Sequence, residues 1–506
     1  MPISLDQFRA MPSTRDLTKN LSRALYDELR ARIADGTYAA GAPLPSTRAL
    51  AAERGLSRGT VSLVYEQLAA DGFIQTRAGA ASRVAAGAAP ALTARARRGR
   101  GHRAATGGHT GRLSGIARRI AGLGVGDAGP PAPGEIDFVY GPLAGSDFPT
   151  LAWLKALRAV ERQRSPRLEY EDPRGNPELR RALQAHLSQT RGLACSVEQL
   201  MIVNGSQQAL DLCARLLVDP GDGVVVENPG YRMAHHAFEA YGGQLRCVDV
   251  DEHGLQTGQL AALGAAQLAY VTPTHQFPLG SFLPIARRRA LLDWAAEHGA
   301  WIIEDDYDGE YRYTVRPEAT LLSLDRRDCV IHVGTFSKTL SPQLRLGYMV
   351  LPPSLVDTFS AAKRVADRHA ATGVQRALAR LLEDGSYGRH VRRMRRQQQA
   401  RQRALVDALT SCFGRRVEIQ GAGSGLHLVA WFHGVPAGSE AALVSAAREH
   451  GVRVHPIGPL FHPAARARHR QGPAGLVMGY ALLEAAAIRE GVRRLADCLP
   501  GAELGG

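Results

Sequence analysis

A single lysine in the segment VGTFSKTLSPQLRLGYMV, residues 333–350, has the surroundings of a reactive amine. Lys338 lies in a short polar turn between two apolar runs, and Arg345 follows seven residues later. A lysine of lowered pKa can form a Schiff base with an aldehyde. Arg345 can bind a phosphate through two parallel hydrogen bonds, and Thr335 and Ser337 can add hydroxyl groups. The segment therefore predicts a site for a phosphorylated aldehyde.

Three further side chains suit the same ligand. Asp305 ends the apolar run AWIIED, where a buried carboxylate needs a cationic partner such as a protonated pyridine nitrogen. Tyr307 follows two residues later. Tyr231 closes the turn ENPGY, where its ring can cover a flat ligand. Together with Lys338, these residues predict a pyridine ring carrying an aldehyde.

The segment MIVNGSQQALDL predicts a strand, a glycine turn and a helix. The start of such a helix offers free backbone N–H groups to a phosphate. An amine, a carboxylate and a phosphate cup are what pyridoxal 5'-phosphate requires. The predicted cofactor-binding residues are Gly205, Ser206, Gln207, Tyr231, Asp305, Tyr307, Thr335, Ser337, Lys338 and Arg345.

Each assignment has a simpler alternative. Lys338 could be a solvated loop lysine, and Tyr231 could be part of the core. Asp306 competes with Asp305 for the same role, and the two-residue spacing to Tyr307 favours Asp305. No metal site is expected, because the histidines of this region have no metal-ligand spacing; those left unassigned are His235, His236 and His275.

Strands and helices must alternate to position these residues. From Glu135 onward, short β-branched runs alternate with helical patterns, which predicts a parallel α/β sheet. Ligands of such sheets bind at the carboxyl ends of the strands, where the predicted site residues stand.

The N-terminal region has a different pattern. Leucine or isoleucine recurs every four residues at Leu21, Leu25, Leu29 and Ile33, which predicts a helix. Two further helices are predicted, one capped by Ser46, running through Glu53 and ending at Gly55, and one capped by Ser57 and reaching Ala70. With a short hairpin after them, these helices predict a winged helix-turn-helix. The predicted DNA-binding residues are Arg48, Ser57, Arg58 and Thr60.

Charge supports a nucleic-acid partner. The net charge is +14, and residues 85–134 contribute +7 of it, with eight Arg against one Asp. That segment is rich in Ala, Gly and Pro and poor in large apolar residues, so we expect a flexible linker. The expected domains are residues 15–84, the linker 85–134, and residues 135–506.

Composition predicts a cytoplasmic protein. The six cysteines lie far apart and form no CxxC pair, which indicates reduced thiols. No run of 18 apolar residues predicts a membrane span, and the N-terminus lacks the order of a signal peptide.

Two sets of motifs resemble known families. LPSTRALAAERGLSRGTVSLVYEQLAADG is similar to the GntR-type winged helix, and GSQQAL, ENPGY, IIEDDYDGEYRY, GTFSK and RLGY are similar to fold-type-I aminotransferases. Their combination resembles the MocR subfamily of GntR regulators, in which a winged helix is fused to an aminotransferase-like domain. The resemblance implies DNA contacts from Arg48, Ser57, Arg58 and Thr60. It also implies that Lys338 forms an aldimine with the cofactor and that Asp305 contacts the nitrogen of the cofactor ring. It also implies that Tyr231 stacks on the ring, that Tyr307 approaches the phenolic oxygen, and that Ser206, Gln207, Thr335 and Arg345 bind the phosphate.

The sequence departs from those families at three places. The wing keeps only Gly79 of the usual Gly-x-Gly-Thr. The asparagine that bonds the ring phenolate in aminotransferases is replaced by Phe277. The arginine that holds a substrate carboxylate is not evident, since neither Arg468 nor Arg470 aligns with it. The two departures from the aminotransferase pattern suit a sensor better than an efficient transaminase.

The leading hypothesis is a DNA-binding transcription regulator that uses pyridoxal phosphate to sense the cofactor or an amino compound. The alternative is a working aminotransferase with an accessory DNA-binding head. The resemblance implies a homodimer in which each winged helix packs against the large domain of the partner. The effector stays open between free cofactor, γ-aminobutyrate, taurine and other amines.

Overall fold

The computed structural model describes residues 14–77, 80–86, 111–126, 129–163, 167, 169–314 and 319–499, with the backbone alone for residues 14–20. The chain divides into two compact units, Met1–Arg112 and Leu113–Gly506. In the described part of the chain, no helix is both long and apolar enough to span a membrane.

The first unit is a winged helix-turn-helix built on three helices, α1 (Thr14–Ala34), α2 (Thr47–Arg54) and α3 (Arg58–Ala70). As predicted, Ser46 and Ser57 cap α2 and α3, and Gly55 ends α2 in the left-handed conformation. Leu21 is the exception to the predicted stripe of α1. It is 50% exposed, so the buried stripe begins one turn later.

A two-stranded hairpin completes this unit. Strand β1 (Ile74–Gln75) pairs antiparallel with β2 (Arg83–Val84), as the winged fold requires. Ile74 and Val84 join the apolar core formed by α1 and α3. Gly79, the predicted remnant of the wing motif, lies outside the described residues.

The second unit contains an eight-stranded sheet. Its order is β4-β11-β10-β9-β8-β5-β6-β7. After the short β3 (Ile136–Asp137), these strands span Leu200–Val203 (β4), Gly223–Asn228 (β5), Gln244–Asp251 (β6), Gly254–Leu255 (β7), Leu268–Val271 (β8), Trp301–Asp306 (β9), Val330–Thr335 (β10) and Gly347–Val350 (β11).

The prediction of a parallel sheet is correct for the centre and wrong for β11 and for the edge strand β7, which pairs antiparallel with β6. Strands β6, β5, β8, β9 and β10 run parallel, whereas β11 pairs antiparallel with both β10 and β4. The reason is the short connection after β10, which has no crossover helix and can only return the chain antiparallel. This connection carries Lys338.

A smaller four-stranded sheet has the order β12-β13-β16-β15. Its strands span Val417–Gln420 (β12), His427–Pro436 (β13), His455–Pro456 (β15) and Pro473–Gly479 (β16), and Val452–Arg453 (β14) pairs with β3. It shares one apolar core with the long helix Ser386–Phe413 and the helix Ala485–Asp497.

Helices cover both sheets. In chain order after α3 they are α4 (Gly115–Gly122), α5 (Thr150–Glu161), α6 (Pro177–Arg191), α7 (Ser206–Leu217), α8 (Arg232–Tyr241), α9 (Ile285–His298), α10 (Leu321–Leu324), α11 (Val356–Ala366), α12 (Thr372–Glu383), α13 (Ser386–Phe413), α14 (Glu440–Glu449), α15 (Arg466–His469) and α16 (Ala485–Asp497).

Helix α4 falls within the segment expected to be a flexible linker. Ser114 caps it, and it packs on α8, where Arg119 Nε donates to the carbonyl oxygen of Ala240 at 2.8 Å. Residues 87–110 and 127–128 of that segment lie outside the described residues. At least part of the segment thus has an ordered attachment to the second unit.

Candidate cofactor and DNA-binding sites

A cavity of about 270 Å³ lies at the carboxyl ends of the central strands. Gly205 immediately precedes one wall, at the start of α7. The other nine predicted cofactor residues line the cavity: Ser206, Gln207, Tyr231, Asp305, Tyr307, Thr335, Ser337, Lys338 and Arg345. The structure therefore brings together residues that lie up to 140 positions apart in the chain.

Lys338 reaches the cavity from the turn after β10. Its Nζ donates to the carbonyl oxygen of Gly141 at 2.8 Å. Burial lowers the pKa of the Lys338 amine, and the nearby carboxylates of Asp308 and Asp305 only partly oppose that effect. A lowered pKa leaves more of the amine unprotonated, as a nucleophile requires.

The competition between Asp305 and Asp306 is resolved by strand alternation. Asp305 lines the cavity, whereas Asp306 forms an ion pair with Arg191, whose Nη2 lies 3.1 Å from Oδ2. Burial opposes ionisation of Asp306, but the charge of Arg191 outweighs it and the pKa of Asp306 is lowered. Successive residues of a strand face opposite sides of the sheet, so only one of the two can face the ligand.

Asp305 has an unsatisfied oxygen. Its Oδ2 accepts a hydrogen bond from Tyr270 Oη at 2.8 Å, while its buried Oδ1 has no partner among the described residues. Burial raises the pKa of Asp305 to about 7, against the lowering effect of the Tyr270 hydrogen bond. A protonated pyridine nitrogen would give Oδ1 the cationic partner that a buried carboxylate needs. The site therefore fits pyridoxal phosphate.

Aromatic side chains line part of the cavity, among them Tyr140, Tyr231 and Phe277. The ring centroid of Phe277 lies 5.2 Å from that of Tyr140 and 5.7 Å from that of Tyr231. Burial raises the pKa of Tyr231 to about 12, so its hydroxyl stays protonated. Phe277 presents an apolar ring where the aminotransferase pattern has an amide.

The phosphate side of the cavity combines hydroxyl groups with Arg345. The backbone N–H of Ser337 donates to Thr335 Oγ1 at 3.1 Å. Arg345 Nη2 donates to the carbonyl oxygen of Asn204 at 2.9 Å and so crosses the start of α7. Gly205 has φ +80°, and a Cβ there would lie 2.6 Å from Arg345 Nη2. Only glycine permits this close approach.

The described lining of the cavity holds no arginine for a substrate carboxylate, because its arginine, Arg345, lies on the phosphate side. Within the described ranges, Arg345 is the only arginine that lines the cavity. Arg468 is exposed and forms an ion pair with Asp249 at 3.1 Å, and Arg470 does not reach the cavity either.

Several lining residues had no assigned role in the sequence. The lining residues not predicted are Tyr140, Gly141, Tyr270, Thr272, Phe277, Asp308, Pro342, Leu426 and His427. For Asp308 a signal existed, since it closes the same DDYD segment as Asp305. Tyr140 and His427 follow or begin strands of the smaller part of the unit, and no local motif distinguishes them.

In the first unit, Arg48 and Arg58 are exposed at the starts of α2 and α3. Ser57 Oγ accepts from the backbone N–H of Thr60 at 3.1 Å and lies 2.8 Å from Thr60 Oγ1. Thr60 is only 9% exposed. Ser57 and Thr60 thus set the start of α3, while the two arginines are free to reach a phosphate or a base.

Family comparisons match both units. The family described as bacterial regulatory proteins, gntR family, matches residues 21–84. Aminotransferase class I and II matches residues 140–471.

Two relatives that match along nearly the whole chain bear the names of regulatory proteins. The chain is 34% identical over 502 residues to the probable rhizopine catabolism regulatory protein MocR of Rhizobium meliloti, covering 97% of this chain and 96% of that protein. It is 32% identical over 505 residues to the HTH-type transcriptional regulator TauR of Rhodobacter capsulatus, covering 99% and 100%.

Among solved structures, the second unit is similar to an aminotransferase. The α-aminoadipate aminotransferase LysN of Thermus thermophilus, complexed with N-(5'-phosphopyridoxyl)-L-leucine, superposes with a TM-score of 0.64 and 28% identity over 77% of this chain and 95% of that one. The cavity and the fold together indicate a pyridoxal phosphate domain of fold type I. The chain belongs to the MocR type of GntR-family transcriptional regulators, which joins a DNA-binding winged helix to that domain.

Proposed function

We propose that this regulator binds pyridoxal phosphate at Lys338 and changes its DNA-bound state when the cofactor or an amino compound occupies the cavity. The observation that carries the proposal is that Asp305 Oδ1, which has no partner among the described residues, lies in the same cavity as the amine of Lys338. The cofactor supplies an aldehyde that condenses with amines and a pyridine ring that draws electrons from the new bond.

Different residues of the cavity hold different parts of this ligand. Asp305 pairs with the ring nitrogen, Tyr231 covers one face of the ring, and Tyr307 faces its phenolic oxygen. The phosphate takes the N–H groups at the start of α7 and the guanidinium of Arg345. The remaining phosphate contacts come from Gly205, Ser206, Gln207, Thr335 and Ser337.

The DNA-binding contacts belong to the starts of α2 and α3. Arg48 and Arg58 contact phosphate or guanine in the major groove, and Ser57 and Thr60 fix the first turn of the recognition helix. Residues 15–84 form the DNA-binding domain, residues 85–134 the linker, and residues 135–506 the effector domain.

A homodimer explains how one cavity could affect DNA binding. Two winged helices of a dimer engage two half-sites, and a ligand shifts DNA affinity if it binds two dimer arrangements with different affinity. We place the protein in the cytoplasm, where DNA, cofactor and free amines meet. Among the described lining residues, the arginine Arg345 is taken up by the phosphate and leaves no arginine for a substrate carboxylate, which favours sensing over efficient transamination.

The test is the visible absorption spectrum of the full-length protein with pyridoxal phosphate, before and after addition of a panel of amines. A band that forms with the wild-type chain and not with Lys338→Ala supports cofactor attachment at Lys338. A spectral change with one amine, accompanied by changed affinity for a DNA duplex selected in vitro by this protein, supports sensing.

Two results would contradict the proposal. One is a band that persists in Lys338→Ala, which would move the attachment point elsewhere. The other is bleaching by an amino acid that a keto acid restores through repeated cycles, with no change in DNA affinity. That outcome would establish the alternative, an aminotransferase with an accessory DNA-binding head.

A further inference from the structure

We propose that His275 and Asp308 hold the hydroxyl of Tyr307 as a hydrogen-bond donor directed at the cofactor cavity. The proposal rests on the proposed function, because it concerns how the cavity receives an oxyanion of the ligand. His275 is a positioning residue in it, since His275 acts through Tyr307 and does not line the cavity.

The three side chains meet at one nitrogen. His275 Nδ1 lies 2.9 Å from Asp308 Oδ2 and 2.9 Å from Tyr307 Oη. The side chains of His275 and Asp308 are 1% and 2% exposed, so water does not compete for these hydrogen bonds.

The position of the imidazole proton follows from the second nitrogen. His275 Nε2 is buried and has no hydrogen-bond partner among the described residues. Gly280 and Gly425 close over the ring, and a Cβ at Gly280 would lie 2.9 Å from Nε2. A proton on Nε2 would leave a buried N–H unpaired, which costs more than an unpaired lone pair. The proton therefore belongs on Nδ1, where the Asp308 carboxylate accepts it.

This tautomer determines whether the Tyr307 hydroxyl accepts or donates its hydrogen bond with His275. The Nδ1–H of His275 is shared between Asp308 Oδ2 and Tyr307 Oη in a three-centre hydrogen bond. Tyr307 Oη is then an acceptor toward His275, and its own proton needs another acceptor. No other hydrogen bond of this hydroxyl occurs within the part of the chain that the structure describes, and Tyr307 lines the cavity. A ligand oxyanion in the cavity completes the arrangement.

Phe277 makes this donor necessary. Its ring lies 6.3 Å from that of Tyr307, at the position where the aminotransferase pattern has a side-chain amide. An apolar ring cannot donate a hydrogen bond to an oxyanion. The pair His275–Asp308 compensates by fixing the direction of the remaining donor.

A metal ion is the competing explanation of this cluster. Ligand atoms of His275, Asp308 and His427 lie within 4.8 Å of one another. However, His275 Nδ1 already has two oxygen neighbours at hydrogen-bond distance, and His427 Nε2 lies 3.0 Å from the carbonyl oxygen of Pro278. A metal at Nδ1 would have to displace both of the former hydrogen bonds, and Nε2 lies under Gly280, where even a Cβ would come within 2.9 Å of it. We therefore assign the cluster to hydrogen bonding.

The test measures the pH midpoint of the Lys338-dependent visible band in the full-length protein loaded with pyridoxal phosphate. His275→Phe should raise the midpoint by about one unit, because losing one hydrogen bond to a charged group changes proton affinity roughly tenfold. Tyr307→Phe should raise it at least as much. The double variant should match Tyr307→Phe alone, since His275 acts only through that hydroxyl.

Conservative variants separate positioning from packing. His275→Asn keeps an N–H donor and should recover part of the shift, whereas Asp308→Asn should shift the midpoint in the same direction but less. These variants decide the question even if His275→Phe does not fold. The other titratable and charged groups around the site are unchanged in them. Asp305, Lys338, Arg345, His427, Tyr140, Tyr231 and Tyr270 line the cavity, and Glu227 and Asp306 act on Tyr307 from outside the lining.

The outcomes are distinguishable from failure of the proposed function. If the wild-type protein gives no Lys338-dependent band, the proposed function itself fails. If the band forms but folded His275 variants keep the wild-type midpoint, or if the double variant shows the sum of both shifts, the positioning role is overturned. A midpoint that moves on chelation of divalent metal would also overturn it, in favour of a metal site.

Discussion

Two buried carboxyl groups, one lining the cavity and one bonded to the lining residue Thr272, have unusual acid–base properties. Burial raises the pKa of Asp305 and of Glu227 to about 7 each, against the hydrogen bonds that they accept from Tyr270 and from Thr272. Asp305 lines the cavity, where a cationic ligand would restore its charge, whereas Glu227 is not among the lining residues. In the ligand-free protein, they make folding dependent on pH.

The ligand-free protein should lose stability as pH rises. The folded carboxyl groups keep their protons up to about pH 7, whereas unfolded ones release them near pH 4. The contribution of these two groups to the free energy of unfolding is fully present below about pH 4. It is lost as the pH rises to about 7, with a slope of up to roughly 1.4 kcal/mol per pH unit for each group. Asp305→Asn should remove roughly half of this fall between about pH 4 and 7, since Glu227 remains. Thermal unfolding across that range measures it, and an unchanged slope in the variant would contradict the assignment.

A second prediction at this scale concerns Arg58. Arg58→Ala should weaken binding to the selected duplex and reduce the slope of log K against log salt by about one, as expected for the loss of one phosphate contact. Arg23→Ala, a change at an exposed arginine of α1, should leave the slope unchanged. Fluorescence anisotropy over a salt series measures both. Equal slopes for Arg58→Ala and wild type would exclude Arg58 from the interface.

At the scale of elements, α3 depends on its first turn. Ser57 accepts the backbone N–H of Thr60, and such a cap contributes about 1 kcal/mol. Ser57→Ala should therefore increase hydrogen exchange of the first turn of α3 roughly fivefold in the full-length protein. Ser62→Ala, the same substitution inside α3, is the control. Equal exchange in both variants would show that the cap is unimportant.

The elements also show how far sequence alone leads. The helices α2 and α3 begin and end where Ser46, Gly55 and Ser57 predict, because capping is a local property. The antiparallel course of β11 was not predicted, since strand direction depends on a connection whose path is a tertiary property. The partners of Lys338 were missed for the same reason: Gly141 lies 197 residues away in the sequence.

At the scale of the whole molecule, two units carry the two activities. Ligand sensing requires that the cavity and the winged helix respond to a shared equilibrium between states. The domain boundaries at residues 84 and 134 remain a prediction. Helix α4, held on α8 by Arg119, lies between them.

Lys338→Ala tests whether the two activities are separable. The variant should bind the selected duplex within about twofold of the ligand-free wild type, while cofactor plus effector should change DNA affinity only in the wild type. Typical couplings are about 5- to 150-fold. Anisotropy with and without ligand measures the effect. An equal loss of DNA binding in a folded Lys338→Ala protein would count against separable roles.

The contact between Gly205 and Arg345 constrains how both positions can evolve. Any side chain at residue 205 would collide with the guanidinium, and φ +80° with ψ 163° is accessible almost only to glycine. Lineages that keep the arginine must keep the glycine, whereas a lineage that loses the arginine is released from the steric part of the constraint. Homologues in which both residues have changed would therefore be expected to have lost the cofactor. Homologous sequences could be classified by the residues at these two positions.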